Sequence, residues 1–185
     1  MNEIFLDTET TGLGPDAEIV EIAIVGASGH PLLDTLVRPM GRIPAEATAV
    51  HGITADETAG APAWAEIHDR VVELLSDRPV VIYNASYDVR LMQQTAALHG
   101  LEIPEIDAHC AMLRFAEHWG EWDDYRGSHR WKRLNFAAAQ AGHVWTGEAH
   151  RALADALACR SVWEYLHSTP AQEPDSEYFP GEIQL

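Results

Sequence analysis

An α/β domain with a mixed β-sheet covered by helices is the fold this sequence predicts, and three observations predict it. Three β-rich runs come first, and after them strand candidates alternate with helical stretches. No internal repeat divides the chain. Hydrophobic residues make up 46% of its 185 positions, which suits one domain with a sizeable core and argues against a disordered or fibrous chain.

The elements follow in order. Glu3 to Asp7 reads as a short apolar strand that ends in a carboxylate. Glu18 to Ala27 and Leu32 to Arg38 are further β-rich runs, separated by the turn residues Ser28-Gly29-His30-Pro31. Pro44 to Gly60 carries many small residues and is expected to be irregular or briefly helical. Trp64, Ile67, Val71, Leu74 and Leu75 recur with a helical period. Pro79 to Tyr83 is a buried-strand candidate, and a helix is expected from about Tyr87 to His99, stopped by Gly100. A short strand at Ile103 to Ile106 and a helix from Ala108 to Trp119 come next. Two more helices are predicted, at Leu134 to Ala141 and from roughly Ala149 to Leu166. Residues 1–167 thus form the expected domain. Residues 168–185, with three prolines, four acids and no basic residue, form an acidic C-terminal tail.

Charge and cysteine content narrow the function. Twelve Lys and Arg against 29 Asp and Glu give a net charge of −17, which argues against broad, non-specific adhesion to nucleic acid or anionic membrane. A local basic patch or a carboxylate cluster holding cations stays compatible with it. Cys110 and Cys159 are far apart, so neither a disulfide framework nor a zinc ribbon is indicated. No signal-peptide pattern and no membrane-spanning run is visible, and a cytoplasmic protein without membrane partners is expected.

Three carboxylate constellations carry the chemistry. In Phe5-Leu6-Asp7-Thr8-Glu9-Thr10-Thr11-Gly12-Leu13, residues two apart on a strand face the same way, so Asp7 and Glu9 share a face. Two such acids repel unless one is protonated or a hard cation such as Mg²⁺ lies between them. Asn84-Ala85-Ser86-Tyr87-Asp88 opens a helix, where Ser86 or Asn84 suits a cap and Asp88 suits the helix dipole. In His150-Arg151-Ala152-Leu153-Ala154-Asp155, Asp155 falls among Ala and Leu on a stretch that reads as buried. A buried carboxylate needs a cation or hydrogen bonds. Together the set offers four acids for two metal ions and one imidazole, a base that titrates near neutrality.

The sequence resembles the DEDDh-type exonucleases, the DnaQ-like family of the polymerase III proofreading subunit. Asp7–Leu13 (DTETTGL), Asn84–Asp88 (NASYD) and His150–Asp155 (HRALAD) are similar to its three motifs, in the family's order. Val50–Thr54 (VHGIT) resembles a further family loop. The resemblance implies an RNase-H-like fold and a metal-dependent 3′→5′ exonuclease releasing nucleoside 5′-monophosphates, with single-stranded DNA favoured. It implies that Asp7, Glu9 and Asp155 hold two Mg²⁺, which Mn²⁺ can replace. Asp88 would act through water, and His150 would be the general base. Glu9, Glu46 and His51 would contact the terminal nucleotide, Leu13 would wedge against the last bases, and Thr8, Thr10, Asn84 and Tyr87 would complete the substrate site. The implied partners are a nucleic acid with a free 3′ end and a polymerase or other replication or repair protein. Tyr83 stands where relatives often carry histidine, and Tyr87 where phenylalanine is common. The alternatives are an exoribonuclease on the same fold and a binding or adaptor module without turnover.

One further segment stands out. Arg126 to Arg133 packs four of the twelve basic residues into eight positions. Its members Arg130, Trp131, Lys132 and Arg133 are read as a grip on the substrate backbone, against the plainer reading of a solvated loop with Trp131 in the core.

Overall fold

The computed structural model of the chain describes residues 2–145 and 150–169. Strands β1 (Ile4–Thr10), β2 (Ile19–Gly26) and β3 (Pro31–Leu36) form an antiparallel unit. Helices α1 (Ala45–His51), α2 (Ala55–Thr58) and α3 (Trp64–Leu75) lead to β4 (Val80–Ile82), which pairs with β1 in parallel. Helix α4 (Ala85–Leu98) returns the chain to β5 (Ala108–Cys110), parallel to β4. After α5 (Ala111–Trp119), a small hairpin of β6 (Trp122–Asp123) and β7 (Ser128–His129) precedes α6 (Leu134–Gln140) and α7 (Ala152–Ser168). The main sheet runs β3-β2-β1-β4-β5 and is mixed, as the element order predicts. No helix among the described residues is long and apolar enough to cross a membrane.

Strand alternation sorts the core into two layers. Ile4, Leu6, Ile22, Ile24, Val80 and Ile82 face α3 and α4 and meet Trp64, Val71, Leu91 and Met92. Phe5, Ala23, Val25 and Val81 face the other way, toward Phe115 of α5, Ala137 and Ala138 of α6 and the inner side of α7. Each large apolar side chain buried in these layers contributes about 1.5–3 kcal/mol. Because Phe5 points toward α7, the period of two sends Asp7 and Glu9 to the same side of the sheet. Helix α7 buries Ala152, Ala154, Ala156 and Ala158, and such small side chains let its axis lie close against β1 and β2.

The structure differs from the sequence expectations in a few elements. Ile103 to Ile106 is not a strand; Ile103 and Ile106 pack on the core from irregular backbone. The strand is Ala108–Cys110, because β4 offers its ladder there: Val80, Val81 and Ile82 pair with Ala108, His109 and Cys110. Helix α5 accordingly begins at Ala111. Asn84 occupies the N-cap position of α4 in the left-handed region (φ 73°) and makes no side-chain cap, while Ser86 lies inside the helix. Helix α7 starts after His150 and Arg151, and runs one residue past the expected domain boundary. The tail from 170 onward lies outside the described residues.

Candidate active site

Asp7 and Glu9 leave β1 on the face covered by α7, and Asp155 descends from the first turn of α7 to meet them. Oxygen atoms of Asp7, Glu9 and Asp155 lie within 4.8 Å of one another. Asp88 approaches from α4 and stands outside this tight trio. Its carboxylate is buried and accepts a 2.7 Å hydrogen bond from the Thr8 hydroxyl. The four acids crowd one another electrostatically. Burial, then the charges of Asp88, Asp155 and Glu9, holds Asp7 well above the usual carboxylate range. Burial, then Asp155 and Glu21, pushes Glu9 up to about 8. Burial pushes Asp88 up to about 7 against the opposing Thr8 hydrogen bond, and it also raises Asp155. Converging oxygen ligands that resist ionisation when alone are the donor set a hard divalent cation requires.

Two cavities adjoin this centre. The larger, of about 630 Å³, is lined by Thr8, Glu9, Thr10, Leu13, Glu46, His51, Asn84 and Tyr87 among others. All the residues expected to hold the terminal nucleotide therefore share one wall. Its frame is neutral: the Tyr87 and Thr10 hydroxyls meet at 2.8 Å, and the Tyr87 hydroxyl donates to the Gly12 carbonyl at 3.0 Å. Leu13 projects from this loop with 80% of its surface exposed. His51 is buried, and its Nδ1 accepts from the Ile53 amide at 3.0 Å. In neutral His51, favoured because burial lowers its pKa, the proton is therefore on Nε2, which has no partner among the described residues.

The second cavity, of about 320 Å³, is lined by Asp155 and His150 on one side and by Trp131, Lys132 and Arg133 on the other. His150 is exposed, adopts a left-handed backbone (φ 65°), and its amide faces Asp155 Oδ1 at 3.4 Å. That conformation costs a non-glycine residue on the order of 1 kcal/mol and needs holding. Arg130 turns away from the cavity, into the β6–β7 hairpin, where it pairs with Asp123 at 3.2 Å and Glu121 at 3.4 Å. Lys132 also pairs with Glu121. Trp131 is half exposed rather than packed in the core.

Sequence reasoning missed the brace behind His150. Glu21 is buried in β2, opposite Glu9, and binds the Arg151 guanidinium at 2.6 and 3.1 Å. It also accepts from the Ala152 amide at 2.9 Å, so it caps α7 from a different strand. The residue after His150 is thereby clamped to the sheet. A glutamate inside the apolar run IVEIAIVG was the available signal, since a buried carboxylate demands a partner; nothing local points to Arg151.

Comparison with known proteins agrees with this architecture. The family model described as exonuclease (RNase_T) matches residues 4–162. The chain is 50% identical over 161 residues to the uncharacterized exonuclease CP81 of Escherichia phage 186, covering 83% of this chain and 82% of that protein. It is 41% identical over 104 residues to a DNA polymerase III subunit epsilon-like protein of Rhodobacter capsulatus, covering 52% of this chain but only 15% of that protein. The solved structure of exonuclease X in complex with 5′ overhanging duplex DNA superposes with a TM-score of 0.67 at 26% identity, covering 90% of this chain and 91% of that one. The five-stranded mixed sheet, the helices on both faces and these matches together identify the chain as a member of the RNase_T exonuclease family with an RNase-H-like fold.

Proposed function

We propose that the chain is a metal-dependent 3′→5′ exonuclease of the DEDDh type that shortens single-stranded DNA and releases nucleoside 5′-monophosphates. The observation that carries this reading is the trio Asp7, Glu9 and Asp155, with oxygens within 4.8 Å of one another, set beside His150 where two cavities adjoin. Those three carboxylates, with Asp88 behind them, would hold two divalent cations, Mg²⁺ or Mn²⁺. When bound, the cations offset the phosphodiester's charge and acidify water.

The protein's own groups account for the remaining work. Glu9 and His51 line the cavity that receives the terminal nucleotide, and the His51 Nε2–H is a donor for its sugar. Leu13 rests on the last base, and Tyr87 holds the loop that carries it. An imidazole nitrogen of His150 takes the proton of the attacking water as the new P–O bond forms and the bond to the upstream 3′ oxygen breaks. The shortened strand keeps a 3′-hydroxyl, and the phosphate leaves with the released nucleotide. The acting site is cytoplasmic, and the epsilon-like name of the Rhodobacter relative supports a replication or repair polymerase as a partner.

A digestion of matched single-stranded DNA and RNA oligomers, labelled at the 5′ or 3′ end, tests this reading. In Mg²⁺ a 5′-labelled DNA strand should shorten one nucleotide at a time and faster than RNA, and chelation should stop it. Faster RNA digestion would reassign the substrate to ribonucleotides. Internal cuts, or activity that survives chelation, would overturn the reading.

A further inference from the structure

The cavity on the His150 side is bounded by the segment Arg126 to Arg133, which two hydrogen bonds tie down. The Tyr83 hydroxyl, at the end of β4, donates to the Lys132 carbonyl at 2.8 Å, and the Arg130 amide donates to the Glu121 carbonyl at 2.8 Å. Trp131, Lys132 and Arg133 share the cavity wall with Asp155 and His150. Four of the twelve basic residues of a chain with net charge −17 are gathered in this segment.

Three of these cations, Arg126, Arg130 and Lys132, are nevertheless engaged in ion pairs. Glu121 binds Lys132 and also Arg130, at 3.4 Å. Asp123 has a local reason to be there: it accepts the Tyr125 and Arg126 amides at 3.1 and 3.2 Å and so builds the hairpin turn. The Glu121 carboxylate has no such duty, because among the described residues its oxygens bind only the two cations. It is a partly exposed anion paired with Lys132, a residue of the cavity wall.

We propose that the Glu121 carboxylate stands in for a backbone phosphate of the substrate. In the free protein it keeps Lys132 and Arg130 in place. A phosphate of the single strand, 5′ of the scissile bond, displaces it and takes over Lys132 together with Arg133, both on the cavity wall, while Arg130 stays paired with Asp123. Trp131, half exposed on the same wall, then stacks on a base of that strand. The occupant is a single strand, whose bases are free to stack, and charge complementarity and continuity with the site select it. This proposal rests on the exonuclease reading above. It makes Glu121 a brake on binding: it discriminates against weakly charged or very short ligands that cannot displace it.

The test measures KM and kcat for a long single-stranded oligodeoxynucleotide across a salt series at fixed Mg²⁺. The p-nitrophenyl ester of thymidine 5′-monophosphate, too short to reach the wall, is assayed in parallel. Glu121→Gln should lower KM for the oligonucleotide about two- to fivefold, the range of an exposed charge contact, with ester turnover as in the wild type. Lys132→Gln should raise that KM and flatten the log KM against log salt slope by about 0.7, one phosphate contact. A Glu121→Gln KM equal to or above the wild-type value, while the wild type hydrolyses the ester, would overturn the brake and leave the exonuclease reading standing. A wild type that hydrolyses neither substrate would overturn both.

Discussion

The two cavities that adjoin the carboxylates are built with different forces. On the Glu9 side, Thr10, Tyr87 and Gly12 are tied by neutral hydrogen bonds, and His51 is fixed by the Ile53 amide. On the Asp155 side the framework is ionic: Glu21 with Arg151, Glu121 with Lys132, and Asp123 with Arg130. Neutral hydrogen bonds respond little to salt, whereas partly exposed ion pairs weaken as salt rises. The difference separates two tasks within one cleft. On the proposed function, the neutral wall would fit a nucleotide by shape and hydrogen bonding, and the ionic wall would grip a polyanion and present the base.

The comparison can be broken first at its centre. Asp7→Asn and Asp155→Asn should each reduce hydrolysis to background. Melting temperature in metal-free buffer should hold or rise, because each change removes one of the repelling charges. Near-wild-type turnover in Mg²⁺ for either variant would exclude that residue as a ligand. His150→Ala should come next, lowering kcat by roughly 10²–10⁴-fold, the usual weight of a general base. A variant with wild-type kcat would make His150 a bystander.

The electrostatics of the centre make a prediction about pH. Glu9 is raised from 4.5 to about 8 and Asp88 from 3.8 to about 7 in the folded protein. The folded state therefore binds more protons than the unfolded state between these values, and its stability falls as pH rises through the window. In metal-free buffer the melting temperature should decline from about pH 4 toward pH 8, and Mg²⁺ should flatten the decline by giving the ionised acids a partner. A metal-free profile that rises over this range would mean the acids are not crowded. The smallest effect tests the neutral wall. Tyr87→Phe removes one hydroxyl that ties Thr10 to Gly12, a loss of about 1 kcal/mol, and should raise KM for the mononucleotide ester several-fold. The salt slope on long substrates should stay at the wild-type value; a changed slope would erase the division between the walls.

Much of the site was legible because its parts are local. Asp7 and Glu9 share a face by strand period alone, and Asp88 and Asp155 sit in the first turns of helices that their own sequences announce. The β6–β7 hairpin was not legible, since strands of two residues have no period to detect. Its carboxylates changed the meaning of the basic segment: Arg130 reads as a phosphate ligand in sequence and is an ion-pair partner of Asp123 and Glu121 in space. Likewise Ile103 to Ile106 has strand-like composition, but the edge of β4 chose Ala108–Cys110.

By itself, the sequence determined the mixed α/β class and the order of its main elements, because periodicity acts over a few residues, and its resemblance to the family motifs singled out the four acids as candidates. Tertiary structure alone decided which charges meet. Glu21 finds Arg151 across 130 residues of chain, and Asp155 reaches Asp7 and Glu9 because the alanines of α7 let that helix settle close against β1. Coulomb forces depend on distance in space and on local water, and neither is encoded by position along the chain until the sheet has brought its strands together.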